Sequence, residues 1–212
     1  MIIETRAVAP FFKNGYLVGD AVTRQAVLID PGDEVEALLQ LVEQHRFAVS
    51  HILLTHAHVD HVSGVARATR ALGVPVALHR DDLFLYDHAV AAGRMFGLEI
   101  EAPPPVDEFY EADSLYRLGG LEIRPHHTPG HCPGGVCLAV SAPGQPARTL
   151  FVGDTLFAGS IGRTDLPGGD YDTLIRSITT VLLPFGDDAV VYSGHGPVTT
   201  IGEERRTNPF LR

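Results

Sequence analysis

The sequence predicts a mixed α/β (α+β) protein, and two observations carry that expectation. Apolar runs of strand length alternate along the chain with segments whose apolar residues recur at helical spacing. Histidines and aspartates then gather just past the C-terminal ends of several of those strand-like runs. Loops set on a rigid sheet are where chemistry is usually placed.

Strands are expected near residues 1–8, 15–20, 25–30, 50–55, 74–78, 121–126, 135–141, 148–153 and 189–193. Helices are expected near 34–46, 62–72, 80–92 and 171–183. The strand near 25–30 runs into Asp30-Pro31-Gly32, which is turn chemistry. The first helix has Asp33 placed to cap and Glu36 three residues on, a capping-box pattern. Its apolar face is Val35, Leu38, Leu39 and Val42. Ile52-Leu53-Leu54-Thr55 reads as the end of a buried strand. The second helix ends at Gly73, with Pro75 just beyond. Ala102-Pro103-Pro104-Pro105 is a loop or connector. The fourth helix shows Leu174, Ile178, Val181 and Leu182 at helical spacing and is expected to stop at Pro184.

The stretch Thr55-His56-Ala57-His58-Val59-Asp60-His61 follows the strand near 50–55. Packed together, its histidines would repel one another when protonated and need several partners when neutral. A divalent cation resolves both problems, because neutral imidazole and carboxylate are its natural ligands. His131 follows the strand near 121–126, Asp154 follows Thr149-Leu150-Phe151-Val152-Gly153, and His195 follows Val190-Val191-Tyr192-Ser193. A single zinc rarely needs that many ligands, since four-coordination is usual. Two metals about 3.5–4 Å apart, sharing a water, suit the set better.

The 212 residues suit one domain over 1–212. The net charge of −10 argues against nucleic acid or an anionic membrane as partner. No apolar run approaches a membrane span, and the start lacks the pattern of a signal peptide, so a cytoplasmic location is expected. Cys132 and Cys137 read as two reduced thiols, with Cys132 a candidate for reactivity because it adjoins His131. His45, His51, His79 and His88 have no motif around them. His126 and His127 are either hydrogen-bond partners of ligands or plain strand-end residues, and Asp30 is assigned to a turn or to hydrogen-bonding a ligand. Phe11-Phe12 reads as core packing in preference to a cleft lining.

Four motifs together resemble the metallo-β-lactamase fold. They are His-x-His-x-Asp-His at 56–61, Thr128-Pro129-Gly130-His131, Gly153-Asp154-Thr155 and Gly194-His195-Gly196-Pro197. The resemblance implies a four-layer αββα sandwich. Within that superfamily the chain is most similar to short bacterial glyoxalase II-like proteins, the hydroxyacylglutathione hydrolases. Supporting stretches are Arg94-Met95-Phe96-Gly97-Leu98-Glu99, Gly162-Arg163-Thr164-Asp165 and Glu204-Arg205-Arg206-Thr207-Asn208-Pro209-Phe210-Leu211. Carried over by motif, His56, His58 and His131 would hold one metal, Asp60, His61 and His195 a second, and Asp154 would bridge them.

The resemblance further implies a hydrolase of small thioesters such as S-lactoylglutathione, acting by attack of a metal-bridging hydroxide, with Asp60 and Asp154 as the candidate catalytic residues. Two divalent ions are expected, with zinc the first choice and iron or manganese alternatives. Longer glyoxalase II enzymes carry a C-terminal helical glutathione-binding region, whereas here 16 residues follow Gly196. They also place a lysine and a tyrosine after the bridging aspartate, where Arg163 and Asp165 stand here. Arg163 would grip a substrate carboxylate or pair with Asp165. The main rival is a persulfide dioxygenase, holding one iron at His56, His131 and Asp154 in a facial triad. Gly194-His195-Gly196-Pro197 weighs against it. Another esterase or lactonase stays within the hydrolase class. A β-lactamase fits less well, because those enzymes lack the bridging aspartate.

Overall fold

The computed structural model describes residues 1–212. The chain divides into two compact units, one of residues 1–110 with 118–120, the other of residues 111–117 with 121–212.

The first unit is built on a six-stranded mixed sheet in simple sequential order. Its strands are β1 (Ile2–Val8), β2 (Lys13–Gly19), β3 (Gln25–Ile29), β4 (Ala48–Leu53), β5 (Val76–Leu78) and β6 (Glu108–Phe109). Strand β2 pairs antiparallel with both β1 and β3, and β3 to β6 are parallel. Parallel strands need crossovers, and helices supply them. They are α1 (Val35–His45), α2 (Val59–Val62), α3 (Val65–Leu72), α4 (Leu83–Asp87) and α5 (Ala89–Met95). Leu28, Leu38, Ile52, Val65, Leu78 and Tyr86 belong to the buried apolar core between sheet and helices.

The second unit holds another six-stranded mixed sheet. Its strands are β7 (Tyr116–Leu118), β8 (Leu121–His127), β9 (Val136–Ser141), β10 (Thr149–Gly153), β13 (Val190–Ser193) and β14 (Thr199–Thr200). A two-stranded hairpin, β11 (Leu156–Phe157) with β12 (Ser160–Ile161), lies between β10 and β13 in the chain. Strand β10 pairs parallel with β13 and antiparallel with β9. Helices α6 (Tyr171–Ser177) and α7 (Ile201–Thr207) complete the unit, whose core includes Leu150, Val152, Leu174, Ile178, Val191 and Ile201. Each expected strand is present, and the α/β class with two mixed sheets holds. No helix is long and apolar enough to cross a membrane.

The helices depart from expectation for local reasons. Asp33 does not cap α1; Glu34 holds that position without a side-chain cap, and Asp33 accepts a hydrogen bond from Ser63 Oγ at 2.9 Å. The helix expected over 62–72 breaks at Ser63–Gly64. Gly64 lies so close to the chain that a Cβ there would meet Gly32 O at 2.1 Å, and its N–H donates to Pro31 O at 3.1 Å. The helix expected over 80–92 opens with a 3₁₀ turn and breaks at His88, whose Nδ1 donates to Phe84 O at 2.7 Å. The last expected helix widens to a π turn over Ile178–Leu182, then tightens to 3₁₀ through Pro184 and ends at Gly186. The core reading of Phe11-Phe12 is corrected. Phe12 is 64% exposed, and Phe11 makes an edge-to-face contact with Phe96 at 5.8 Å.

Candidate metal centre

In the first unit the donors sit where β4 ends. His56 and His61 are buried, with ring centroids 4.0 Å apart. His58 flanks α2 as its N-cap residue, its ring 4.9 Å from that of His56. Asp60 and His61 lie on α2, with Asp60 Oδ2 3.7 Å from His61 Nε2.

Asp30 organises this group. It follows β3, is buried, and takes a left-handed backbone conformation (φ 49°). That conformation is uncommon for an L-residue but tolerated by Asp. Its carboxylate accepts from Thr55 N at 2.6 Å, Thr55 Oγ1 at 2.5 Å and His61 Nδ1 at 2.9 Å. An ionised carboxylate only accepts, so His61 must carry its proton on Nδ1 and present Nε2 as the lone-pair nitrogen. Thr55 donates its hydroxyl to Asp30 and so accepts from His56 Nδ1 at 3.2 Å. That leaves His56 Nε2 as a metal donor too. The ligand loop is pinned a second way, by Ala57 N donating to the buried Asp82 at 3.0 Å.

In the second unit the donors follow β8, β10 and β13. Asp154 is the centre of this set. His131 Nε2 lies 3.7 Å and His195 Nε2 3.6 Å from the same oxygen, Asp154 Oδ2. These separations exceed ordinary hydrogen bonds. Two ligands about 2.0–2.1 Å from one tetrahedral metal lie about 3.3 Å apart, so the spacing suits shared coordination. His131 Nδ1 donates to Arg163 O at 2.8 Å, which again leaves Nε2 for a metal. Gly162 is required beside it, because a Cβ there would lie 1.8 Å from Asp154 O. Thr128 Oγ1 and Thr155 Oγ1, 3.2 Å apart, tie the His131 loop to the Asp154 loop. Gly130 adopts φ 130°, and a Cβ there would strike Leu174 at 2.3 Å. The donor chemistry in each unit therefore fits divalent cations: imidazoles, those of His56, His61 and His131 with Nδ1 already committed, beside carboxylates.

Arg163 lies near this set through its backbone, while its side chain forms a bidentate pair with Asp165, both contacts 2.8 Å. The two side chains are 60% and 69% exposed. Hydrogen bonding to Arg163 holds the Asp165 carboxyl down, to about 2. His127 Nε2 contacts Pro133 O at 2.8 Å, and His126 packs edge-on against Phe185. Both are strand residues of β8, and burial followed by Arg124 pushes the His126 pKa down. Cys132 and Cys137 are buried and form no disulfide, and burial pushes the Cys137 thiol well up.

Sequence reasoning missed the buried Lys13, Glu34, Asp82 and Glu204. Glu204 accepts from Gly159 N, Thr199 Oγ1 and Asn208 Nδ2 at 2.6–2.8 Å and so ties α7 to the β11–β12 hairpin.

A model of the metallo-beta-lactamase superfamily matches residues 8–195. The chain is 40% identical to the hydroxyacylglutathione hydrolase GloC of Haemophilus influenzae, over 100% of this chain and 98% of that one. Among solved structures it is similar to TTHA1623 in a di-iron-bound form, at 45% identity and TM-score 0.84, covering 98% and 100% of the two chains. It is similar to the BLEG-1 B3 metallo-beta-lactamase at 37% identity and TM-score 0.88, covering 99% of each. ETHE1 from Myxococcus xanthus is 28% identical, with TM-score 0.80, covering 99% of this chain and 84% of that one.

Proposed function

The chain belongs to the metallo-beta-lactamase superfamily, and on that premise we propose that it is a dinuclear metal-dependent hydrolase of small thioesters, of the hydroxyacylglutathione type. The observation that carries the dinuclear part is the single oxygen of Asp154 set 3.7 Å and 3.6 Å from two imidazole nitrogens. A carboxylate so placed suits a bridge between cations and supplies the negative charge that lets them sit close. The full-length likeness to GloC supports the substrate class.

By the motif pattern, His56, His58 and His131 would hold one metal, Asp60, His61 and His195 the other, and Asp154 both. Such ions supply Lewis acidity and lower the pKa of a coordinated water from 15.7 toward about 7. The chain's own part is orientation. Asp30, Thr55 and the carbonyl of Arg163 fix the Nδ1 protons of His61, His56 and His131. A thiol leaving group, with a pKa near about 8.5, departs without a dedicated acid. That matches a donor set in which the acidic and imidazole groups are assigned to metals or to holding their ligands. Arg163 would meet a substrate carboxylate by exchanging it for Asp165. Zinc, iron and manganese all suit a mixed His/Asp set.

The likeness to ETHE1 fits a second reading, a mononuclear iron persulfide dioxygenase using His56, His131 and Asp154. The test is a substrate panel on one metal-loaded preparation: S-lactoylglutathione, simple acyl thioesters, lactones and a β-lactam. Thioesters should be the best substrates by kcat/KM. A β-lactam or lactone turned over faster than every thioester would overturn the substrate class.

A further inference from the structure

We infer that the buried Lys13–Glu34 ion pair is a positioning device for the His61 side of the metal centre, acting through Asp30; this rests on the dinuclear reading above. Lys13 opens β2 and Glu34 precedes α1, and each side chain is 2% exposed. Their charged ends meet at 2.5 Å. A buried ion pair gains little over well-packed apolar residues, so the informative feature is what else the two groups hold.

Both grip the same turn. Lys13 Nζ also donates to the backbone carbonyl of Asp30. Glu34 Oε1 also accepts from Gly32 N at 2.8 Å. The ammonium and the carboxylate thus clamp the two ends of Asp30-Pro31-Gly32. This is the turn in which Asp30 takes its left-handed conformation and aims its carboxylate at Thr55 and His61. The space around the clamp is filled. A Cβ at Gly15 would lie 1.9 Å from Glu34 Oε1, and one at Gly32 would lie 2.1 Å from Asp60 O. The turn therefore packs directly beneath the helix that carries Asp60 and His61. A shift of the turn moves the acceptor of His61 and the backbone of Asp60 together. His61 bonds Asp30 directly, whereas His56 is held one step further away, through Thr55, so loss of the clamp should be felt more at the metal that His61 serves.

The test is a Co²⁺ titration of chelator-stripped protein, followed by the d–d absorption of each equivalent, with far-UV CD and melting of the metal-free form alongside. The double variant Lys13→Met/Glu34→Gln leaves no unpaired buried charge. It should stay folded, keep the first equivalent, and lose about 10- to 100-fold in affinity for the second, the usual effect of removing a ligand's outer partner. Asp30→Asn should show at least the same loss of the second equivalent, with a smaller loss of the first through Thr55 and His56, and combining the variants should add little at the second. Second-equivalent affinity at the wild-type level, or losses that multiply, would overturn the inference. If the double variant does not fold, Glu34→Gln alone decides the matter: it must weaken the second equivalent several-fold, and unchanged affinity overturns the clamp's role. A wild-type protein that takes up only one Co²⁺ would sink the dinuclear reading and the clamp with it, and that failure is read from a different sample.

Discussion

His61 Nδ1 donates to Asp30 Oδ2 at 2.9 Å, although 31 positions separate the two residues in the chain. The bond decides which nitrogen of His61 can serve a metal. It also couples a turn after β3 to a helix after β4. Asp30→Asn preserves size and tolerates the left-handed backbone, but can no longer accept from all three donors. It should lower metal affinity by about 10- to 100-fold. A chelator competition measures this, and unchanged affinity would show that Asp30 does not orient the ligand.

Elemental analysis after gentle purification should approach two ions per chain. Chelation should abolish turnover, and zinc, iron or manganese should restore it to differing extents. A content fixed at one ion, whichever metal is added, would favour the mononuclear reading.

Asp154→Ala should be more damaging than Asp60→Ala. Asp154 Oδ2 lies near two imidazoles, whereas Asp60 lies near His61. The Asp154 variant is expected to lose both ions in dialysis, and the Asp60 variant only one. Near-normal turnover in Asp154→Ala would remove the bridge from the account.

Lys13→Met alone leaves the Glu34 carboxylate buried beside an apolar side chain. Its cost should be about 3–5 kcal/mol in urea unfolding of the metal-free protein. The double variant should recover much of that loss. A single variant as stable as wild type would mean that Glu34 is rehydrated when Lys13 is removed.

Arg163→Ala should leave stability at pH 7 nearly unchanged, because exposed ion pairs contribute little. The hydrogen bonds from Arg163 lower the Asp165 pKa to about 2 from an ordinary 3.8. A depressed carboxylate contributes stability above the ordinary value and loses it as pH falls toward 2. The pair is therefore intact across the neutral range. Kinetics should show a raised KM with kcat retained if Arg163 binds a substrate carboxylate. A fall in kcat alone would assign it another role.

The sequence was most legible where one signal was strong and local. Apolar runs located the strands, and the histidines and aspartates beyond them are the residues that the structure sets at the ends of β4, β8, β10 and β13. Gly73 ends α3 in the left-handed conformation its position suggested. Signals failed where distant residues compete for a side chain. Asp33 has the right spacing to cap α1, but Ser63, 30 positions away, takes its oxygen. Helix α7 escaped notice although Thr200 and Glu203 have capping-box spacing, and Thr200 Oγ1 does accept from Glu203 N at 3.1 Å. Its polar sequence lacks a broad apolar stripe. Lys13 and Glu34 were invisible for a related reason. Nothing local marks a charged side chain as buried until the fold supplies its partner 21 positions away.

The most direct test of the account is an anaerobic assay of the metal-loaded protein with S-lactoylglutathione, following free thiol as a function of pH. Thiol should be released without oxygen and not after chelation, at a rate that rises with pH as a coordinated water ionises near about 7 and then levels off. Inert thioesters, together with oxygen uptake on glutathione persulfide by protein holding one iron, would contradict it.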